Sequence, residues 1–318
     1  MAIRRSHLLC LFILGCAASC DGGVPGSAAA ETAPRIISLS PHITELLFAA
    51  GAGDRIVGID DSSDYPAAVA GIPRVGEPAA LDVEGLLKLK PTLIVLWDSG
   101  TPARRKAELE SLKLNLYVTD QHHLDDIGAT LLEFGRLAGT LPKAAAAARG
   151  YRSGLAQLRT QYADRPRLKV FYQVWDRPLY TLSGNHVVSE VLSLCGGDNV
   201  FGDLSTLAPQ IDKEAVPSRN ADVILVAATG TEGARQVADW GRFGDLRAVR
   251  NHHVYTVDPS LVGRMAPRIL DGVREVCRLL DAARGTGPSA GEPHRVPVGA
   301  PQAAVSNKRQ SSDDIFRR

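Results

Sequence analysis

The feature that most narrows the fold is a self-similarity between the two halves of the 318-residue chain. Leu81-Asp82-Val83-Glu84 leads through Lys90-Pro91 into the apolar run Leu93-Ile94-Val95-Leu96. Ile211-Asp212-Lys213-Glu214 leads through Asn220-Ala221 into Val223-Ile224-Leu225-Val226, and the register holds without a gap between the two. A helix start that runs into a buried strand, twice at one spacing, implies two halves built as structural counterparts. Each half carries an Asp-x-Glu at the helix start. Asp as cap and Glu in the first turn complement the helix dipole by about 0.3–1 kcal/mol each, which accounts for both locally. It gives no reason for one exposed glutamate per half at matched positions, which is what a two-point docking surface needs.

The rest of the chain fits the same plan. Residues 34–51 read as strand, turn and helix: β-branched alternation over 35–39, then Ser40 able to cap and Pro41 suited to the first helical position, with Gly51 as the stop. In such a unit ligands gather beyond the carboxyl ends of the strands, here around Ser40, Pro41 and His42. Strands are expected at 55–59, 72–76, 92–97 and 115–118, with helices at 81–89, 104–112 and 124–138. This alternation predicts a mainly parallel sheet. Residues 141–163 differ, with Tyr151, Leu155, Leu158 and Tyr162 at spacings of four, three and four. They predict a helix about 35 Å long, stiff enough to connect two lobes, although Gly154 costs it about 1 kcal/mol. Strands at 169–174, 222–227 and 254–257 and helices at 186–194 and 267–283 follow. The domain plan is therefore an N-terminal α/β lobe at 34–140, the connecting helix at 141–163, a C-terminal α/β lobe at 164–284 and a disordered, Pro/Gly/Ser-rich tail at 285–318.

The first twenty residues are read as an export signal rather than fold. Arg4 and Arg5 precede an apolar stretch too short to span a bilayer, and 21–33 is a small-residue linker. Ile13-Leu14-Gly15-Cys16 and Ala17-Ala18-Ser19-Cys20 resemble lipoprotein cleavage boxes, so Cys16 and Cys20 are lipidation candidates; Ala28-x-Ala30 suits ordinary secretory cleavage. The expectation is a periplasmic or otherwise extracytoplasmic protein, lipid-anchored to a membrane. Once the leader is set aside, Cys195 and Cys277 remain. In an oxidising compartment they form one disulfide or stay as two buried thiols. The bridge is favoured because each lies near the end of a helix in the same half.

Several chemistries are excluded or unsupported. A net charge of +1 argues against nucleic acid as a partner. Gly51-Ala52-Gly53 follows the helix rather than the strand, the wrong place for a pyrophosphate cradle. There is no Walker loop, nucleophile elbow or Cys-x-x-Cys, so neither an enzyme nor a resident metal or cofactor is expected. His122-His123 and His252-His253 are adjacent pairs whose rings point apart in extended backbone, and solvated surface is the better reading of both. His42 at the cleft-facing turn has no visible second ligand, which favours packing or hydrogen bonding there over metal or haem ligation.

Taken in order, Ser40-Pro41-His42-x-Thr44-Glu45-Leu46, Ser63-Asp64-Tyr65-Pro66, Lys90-Pro91-x-Leu93-Ile94, Cys195-Gly196-Gly197-Asp198-Asn199-Val200-Phe201 and Arg264-x-Ala266-Pro267-Arg268 resemble the helical-backbone solute-binding proteins of ABC importers. They are most similar to the cobalamin-binding branch of that family. The resemblance implies an α/β fold of two Rossmann-like lobes joined by one long rigid helix, with the ligand cleft between the lobes and little hinge motion. It implies that Glu84 and Glu214 dock on an ABC permease of the inner membrane, and that Cys195 and Cys277 are bridged. It implies that Trp97 packs on the ligand's ring and that Arg264 hydrogen-bonds the ligand. Where that branch carries further cleft aromatics, this chain has Ser62, Pro78 and Ala208, and each missing ring forfeits about 0.5–1.5 kcal/mol of stacking. Trp175 and Tyr180, after the 169–174 strand, are candidates to compensate from the other lobe. The expected function is capture of a corrinoid (cobalamin or cobinamide) by a monomer that delivers it to the permease, with Ser40, His42 and Ser62 among the polar cleft groups. A ferric siderophore or haem is the alternative ligand, and an α/β enzyme a distant third reading.

Overall fold

The structure, a computed structural model, describes residues 33–285. The leader with Cys16 and Cys20, the linker up to residue 32 and the tail beyond 285 lie outside the described residues. The N-terminal lobe runs β1 (Ile36–Ser38), α1 (Pro41–Ala49), β2 (Ile56–Ile59), α2 (Val83–Lys88), β3 (Leu93–Trp97), α3 (Ala103–Ser111), β4 (Leu116–Thr119) and α4 (Asp126–Ala138). Helix α5 (Leu141–Tyr162) then crosses to β5 (Leu168–Gln173), the hairpin β6 (Trp175–Asp176) and β7 (Leu179–Tyr180), α6 (Val187–Leu194) and β8 (Gly197–Asn199). The chain closes with α7 (Ala215–Arg219), β9 (Val223–Ala227), α8 (Gly230–Trp240), α9 (Arg247–Arg250), β10 (Val254–Val257), α10 (Pro259–Val262) and α11 (Ile269–Ala283).

The repeat is written into the sheets. The first is ordered β2-β1-β3-β4 and the second β8-β5-β9-β10, which is one topology twice. All pairs within both sheets are parallel. Ile36 pairs with Leu93 on β3, and Val170 pairs with Val223, its repeat equivalent, on β9. β3 and β9 read almost continuously apolar because helices cover both faces. Burial follows the repeat as well: from residue 82 to 90 and from 212 to 220 the succession of exposed, half-buried and buried positions is identical.

Helix α5 is 22 residues long and buries Ala144, Ala148, Tyr151, Leu155, Leu158 and Tyr162 along one stripe, the 3.6-residue period in practice. The Tyr151 hydroxyl donates to Leu124 O at 2.8 Å. One apolar core runs from Ile36 and Val95 through Leu131 and Leu155 to Val170, Leu192 and Val273, so both sheets pack on the same helix layer. Cys195, at the end of α6, is bonded to Cys277 of α11, 82 residues on.

Four local expectations change. Residues 72–76 do not form a strand; Arg74 makes a single bridge to Ile59 while its side chain reaches back to the carbonyls of Asp60, Asp61 and Ser63. Ser40 occupies the cap position of α1 but its hydroxyl makes no cap bond, because it bonds His42 Nδ1 at 2.7 Å instead. Asp82 does cap α2, accepting from Gly85 N at 2.9 Å; in the second lobe Asp212 lies ahead of a turn at Lys213 and Glu214, and Glu214 itself holds the cap position without a side-chain bond. Helix α8 is an addition. Its Trp240 is buried among Phe171 and Phe243 and donates to Gln173 Oε1 at 2.7 Å.

Candidate functional site

In the first lobe β1 and β3 are the central strands, and the chain leaves them in opposite directions to reach β2 and β4. That switch point opens a crevice at their carboxyl ends. Ser40–His42 follow β1, Trp97 ends β3 with Ser99 in the turn after it, and Gln121 and His122 follow β4; all line a hollow of about 250 Å³. The facing wall is Asn185–Val187 at the start of α6, Leu207, and Gly263–Met265 before α11. A shallower hollow of about 520 Å³ adjoins it and shares His122, Asn185 and His186. The deep part suits the edge of a ligand rather than a whole macrocycle.

The His42 ring stands edge-on to Trp97, centroids 5.3 Å apart at 87°. Burial first, and the Arg264 charge second, push its pKa down to about 4, with Gln121 beside it pulling weakly the other way. His186 caps α6 with a ring nitrogen: Nδ1 accepts from Val188 N at 3.1 Å, which puts the neutral ring's proton on Nε2. Burial lowers its pKa to about 4 as well. Both histidines therefore face the hollow uncharged near neutrality.

Arg264 lines the hollow, but its guanidinium is already answered by carboxylates of the other lobe. Nη1 reaches Glu45 Oε1 at 3.1 Å and Asp64 Oδ1 at 2.5 Å, and Nη2 reaches Asp64 Oδ2 at 3.2 Å. Arg268 grips Glu45 through Nε at 2.9 Å and Nη2 at 2.7 Å, and lies over the Tyr65 ring 3.7 Å from its centroid. The Glu45 side chain is 2% exposed. Behind it, Thr44 Oγ1 bonds Ser38 and Ser63 at 2.8 and 2.7 Å, and Ser63 donates to Asp60 at 2.5 Å. Burial raises the Asp60 pKa to about 6. Three motifs far apart in sequence, around Ser40, Ser63 and Arg264, are thus one lock between the lobes. A second tie joins Glu190 of α6 to Leu124 N at 2.9 Å and to Arg159 of α5 at 3.2 Å.

Of the residues singled out in the sequence, Ser40, His42, Trp97 and Arg264 meet at the hollow, whereas Ser62, Trp175 and Tyr180 are not part of its lining. The Ser62 hydroxyl donates to Glu77 at 2.5 Å. Trp175 is 52% exposed on the β6–β7 hairpin, where its Nε1 donates to Arg177 O at 3.2 Å. The hairpin still adjoins the wall: Thr181 N donates to Pro209 O at 3.1 Å and Ser183 N to Leu207 O at 3.0 Å. The facing wall is set by Asn185–Val187, Leu207 and Gly263–Met265. Sequence reading missed His186 and Gln121, since neither sits in a periodic or motif-like context; a strand's carboxyl end was the only available signal for Gln121. Glu84 and Glu214 are exposed on α2 and at the start of α7, Glu84 paired with Lys88 at 2.7 Å. Among the described residues no cluster of three or more His, Cys, Asp or Glu could hold a metal, and no helix is long and apolar enough to cross a membrane.

Comparison with known proteins gives one answer. Residues 36–261 match the periplasmic binding protein family. A vitamin B12-binding protein of Vibrio cholerae is 36% identical over 252 residues, 79% of this chain and 91% of that protein. One from Vibrio parahaemolyticus is 30% identical over 254 residues, 80% of this chain and 92% of the relative. The crystal structure of the periplasmic vitamin B12-binding protein BtuF of Vibrio cholerae superposes with a TM-score of 0.75, covering 79% of this chain and 98% of its own. The periplasmic heme-binding protein RhuT of Roseiflexus sp. RS-1, 24% identical, shares the fold with a TM-score of 0.71.

Proposed function

The chain belongs to the periplasmic binding protein family, and from that premise we propose that it captures a corrinoid outside the cytoplasm and hands it to an ABC permease without chemical turnover. The observation that carries the reading is an indole, Trp97, at the switch-point edge of a cleft between two like lobes, in a chain 36% identical to a vitamin B12-binding protein. A corrin is a flat ring rimmed with amides. Trp97 offers a face or edge to the ring, Trp175 on the exposed hairpin a second contact at the mouth, with Tyr180 beside it, and Ser40, His42 and Ser62 polar groups for the rim. Arg264 contributes only the donors that Glu45 and Asp64 leave unused. Titration with dicyanocobinamide, cyanocobalamin, haemin and a ferric siderophore, followed by absorbance and calorimetry, tests the assignment. Submicromolar corrinoid binding is expected, and its absence overturns the ligand. His42 in the hollow is the feature that favours haem as the second reading, and a Soret shift lost in His42→Ala would select it.

Glu84 and Glu214 occupy equivalent, exposed positions of the two lobes, as two-point docking on a permease requires. The double substitution Glu84→Ala, Glu214→Ala is expected to abolish uptake in cells while leaving ligand affinity within about twofold, since rim charges act on partner encounter. A loss of affinity instead would count against a docking role. Export with a lipid anchor at Cys16 or Cys20 completes the proposal, and mass spectrometry of the mature N-terminus checks it.

A further inference from the structure

Among the described residues that line the hollow, Gln121 alone has buried side-chain polar atoms left without a hydrogen bond. It is 7% exposed, and neither Oε1 nor Nε2 makes a hydrogen bond, although the His42 ring is near enough for the amide to bear on its titration. Buried amides are almost always bonded, so this one awaits a partner that enters the hollow. A carboxamide has donors on one arm and acceptor lone pairs on the other. Another primary carboxamide matches both arms at once with two antiparallel N–H···O bonds. A carboxylate meets only the donor arm and sets its charge against Oε1.

The surroundings point the same way. His42 and His186 are uncharged near neutrality, His122 lies 3.0 Å from Asp120, and Arg264 is held by Glu45 and Asp64. No cation among the described lining residues is left to offset a buried carboxylate, which is costly to desolvate unpaired. We propose that Gln121 is a specificity-determining residue that pairs with a primary carboxamide on the ligand's rim, so that the hollow selects an amide-rimmed macrocycle over one carrying carboxylates at the same positions. The inference rests on the corrinoid reading above and names the edge chemistry that the cleft recognises.

The test compares dicyanocobinamide with dicyanocobyrinic acid, the same corrin with carboxylates in place of amides, and with haemin, by calorimetry on the purified protein near pH 7.5. The wild-type protein is expected to bind the amide form at least tenfold more tightly than the acid. Gln121→Met, similar in length and unable to hydrogen-bond, should weaken amide binding about tenfold, well beyond any effect on acid binding, so that the amide-to-acid ratio narrows while the melting temperature holds. Gln121→Glu, which keeps the shape, should lose acid binding further as pH rises from 5 to 8. Equal affinities of the wild-type protein for the two corrins overturn the proposal, as does an amide-to-acid ratio that neither variant alters. If the wild-type protein binds neither corrin, or prefers haemin to both, the corrinoid reading itself fails and this inference falls with it.

Discussion

His42 and His186 resist protonation in the folded chain, with pKa values near 4 against an ordinary 6.5. Between those values the unfolded chain binds more protons, so stability rises with pH through the window and is lost as pH falls from about 6.5 to 4. Asp60 acts in the opposite sense: its pKa is raised from 3.8 to about 6, so its contribution is complete below 3.8 and disappears as pH rises through 6. With two histidines against one carboxyl, urea stability should drop on acidification from pH 7 to 4. His42→Gln should remove roughly 3 kcal/mol of that drop; an unaltered pH profile would contradict a buried neutral ring. Glu45 makes the sharper prediction. Replacing it with Ala leaves Arg264 and Arg268 without their shared, buried acceptor and should cost about 3–5 kcal/mol in denaturant unfolding. A cost under about 1 kcal/mol would mean that water replaces the carboxylate freely. The sequence named Glu45 and Arg264 only as members of separate motifs. That they bond each other follows from side-chain geometry over more than two hundred positions, which no local pattern encodes.

The elements themselves were largely legible because each obeys one period. The stripe of α5 and the apolar run of β3 reflect burial on one side or on both, and burial repeats with the backbone. The 72–76 segment failed because Pro73 and the Arg74 side-chain bonds to neighbouring carbonyls compete with a ladder there. Helix α8 was missed because Gly230 and Gly233 weaken its signal at the start. Two glycines, one on each helix of the α4–α5 pair, yield a paired prediction. A Cβ at Gly150 meets nothing within 4 Å, whereas one at Gly135 would lie 2.2 Å from the Ala144 Cβ and 3.2 Å from Leu141 Cα. Gly150→Ala should therefore stabilise by about 0.5–1 kcal/mol through helix propensity. Gly135→Ala should destabilise by about 1–3 kcal/mol through overpacking. Thermal melts of the two single variants read both signs, and equal effects would reject the close approach of α4 to α5.

At the scale of the molecule, two lobes of identical strand order share one helix layer and are tied by Glu45 on one side and Glu190 on the other, which opposes wide hinge closure. The Cys195–Cys277 bond adds a covalent tie within the second lobe, closing an 82-residue separation. Replacing both cysteines with Ala should lower stability by about 4 kcal/mol on the chain-entropy account, with reductant abolishing the difference between wild type and variant. The sequence by itself determined the two-lobed α/β plan, the long connector and the matched glutamates, because periodicity, turn chemistry and a gapless repeat are properties of neighbours along the chain; the family follows instead from the resemblance of its ordered motifs to known members, and the match over residues 36–261 shows it. The tertiary structure alone decided that Arg264 is spent on Glu45 and Asp64, that Ser62, Trp175 and Tyr180 stand outside the deep hollow, and that Gln121 and His186 stand within it. Which polar groups share a buried cleft depends on how two separately encoded lobes meet, and there charge pairing and desolvation, not local pattern, settle the outcome.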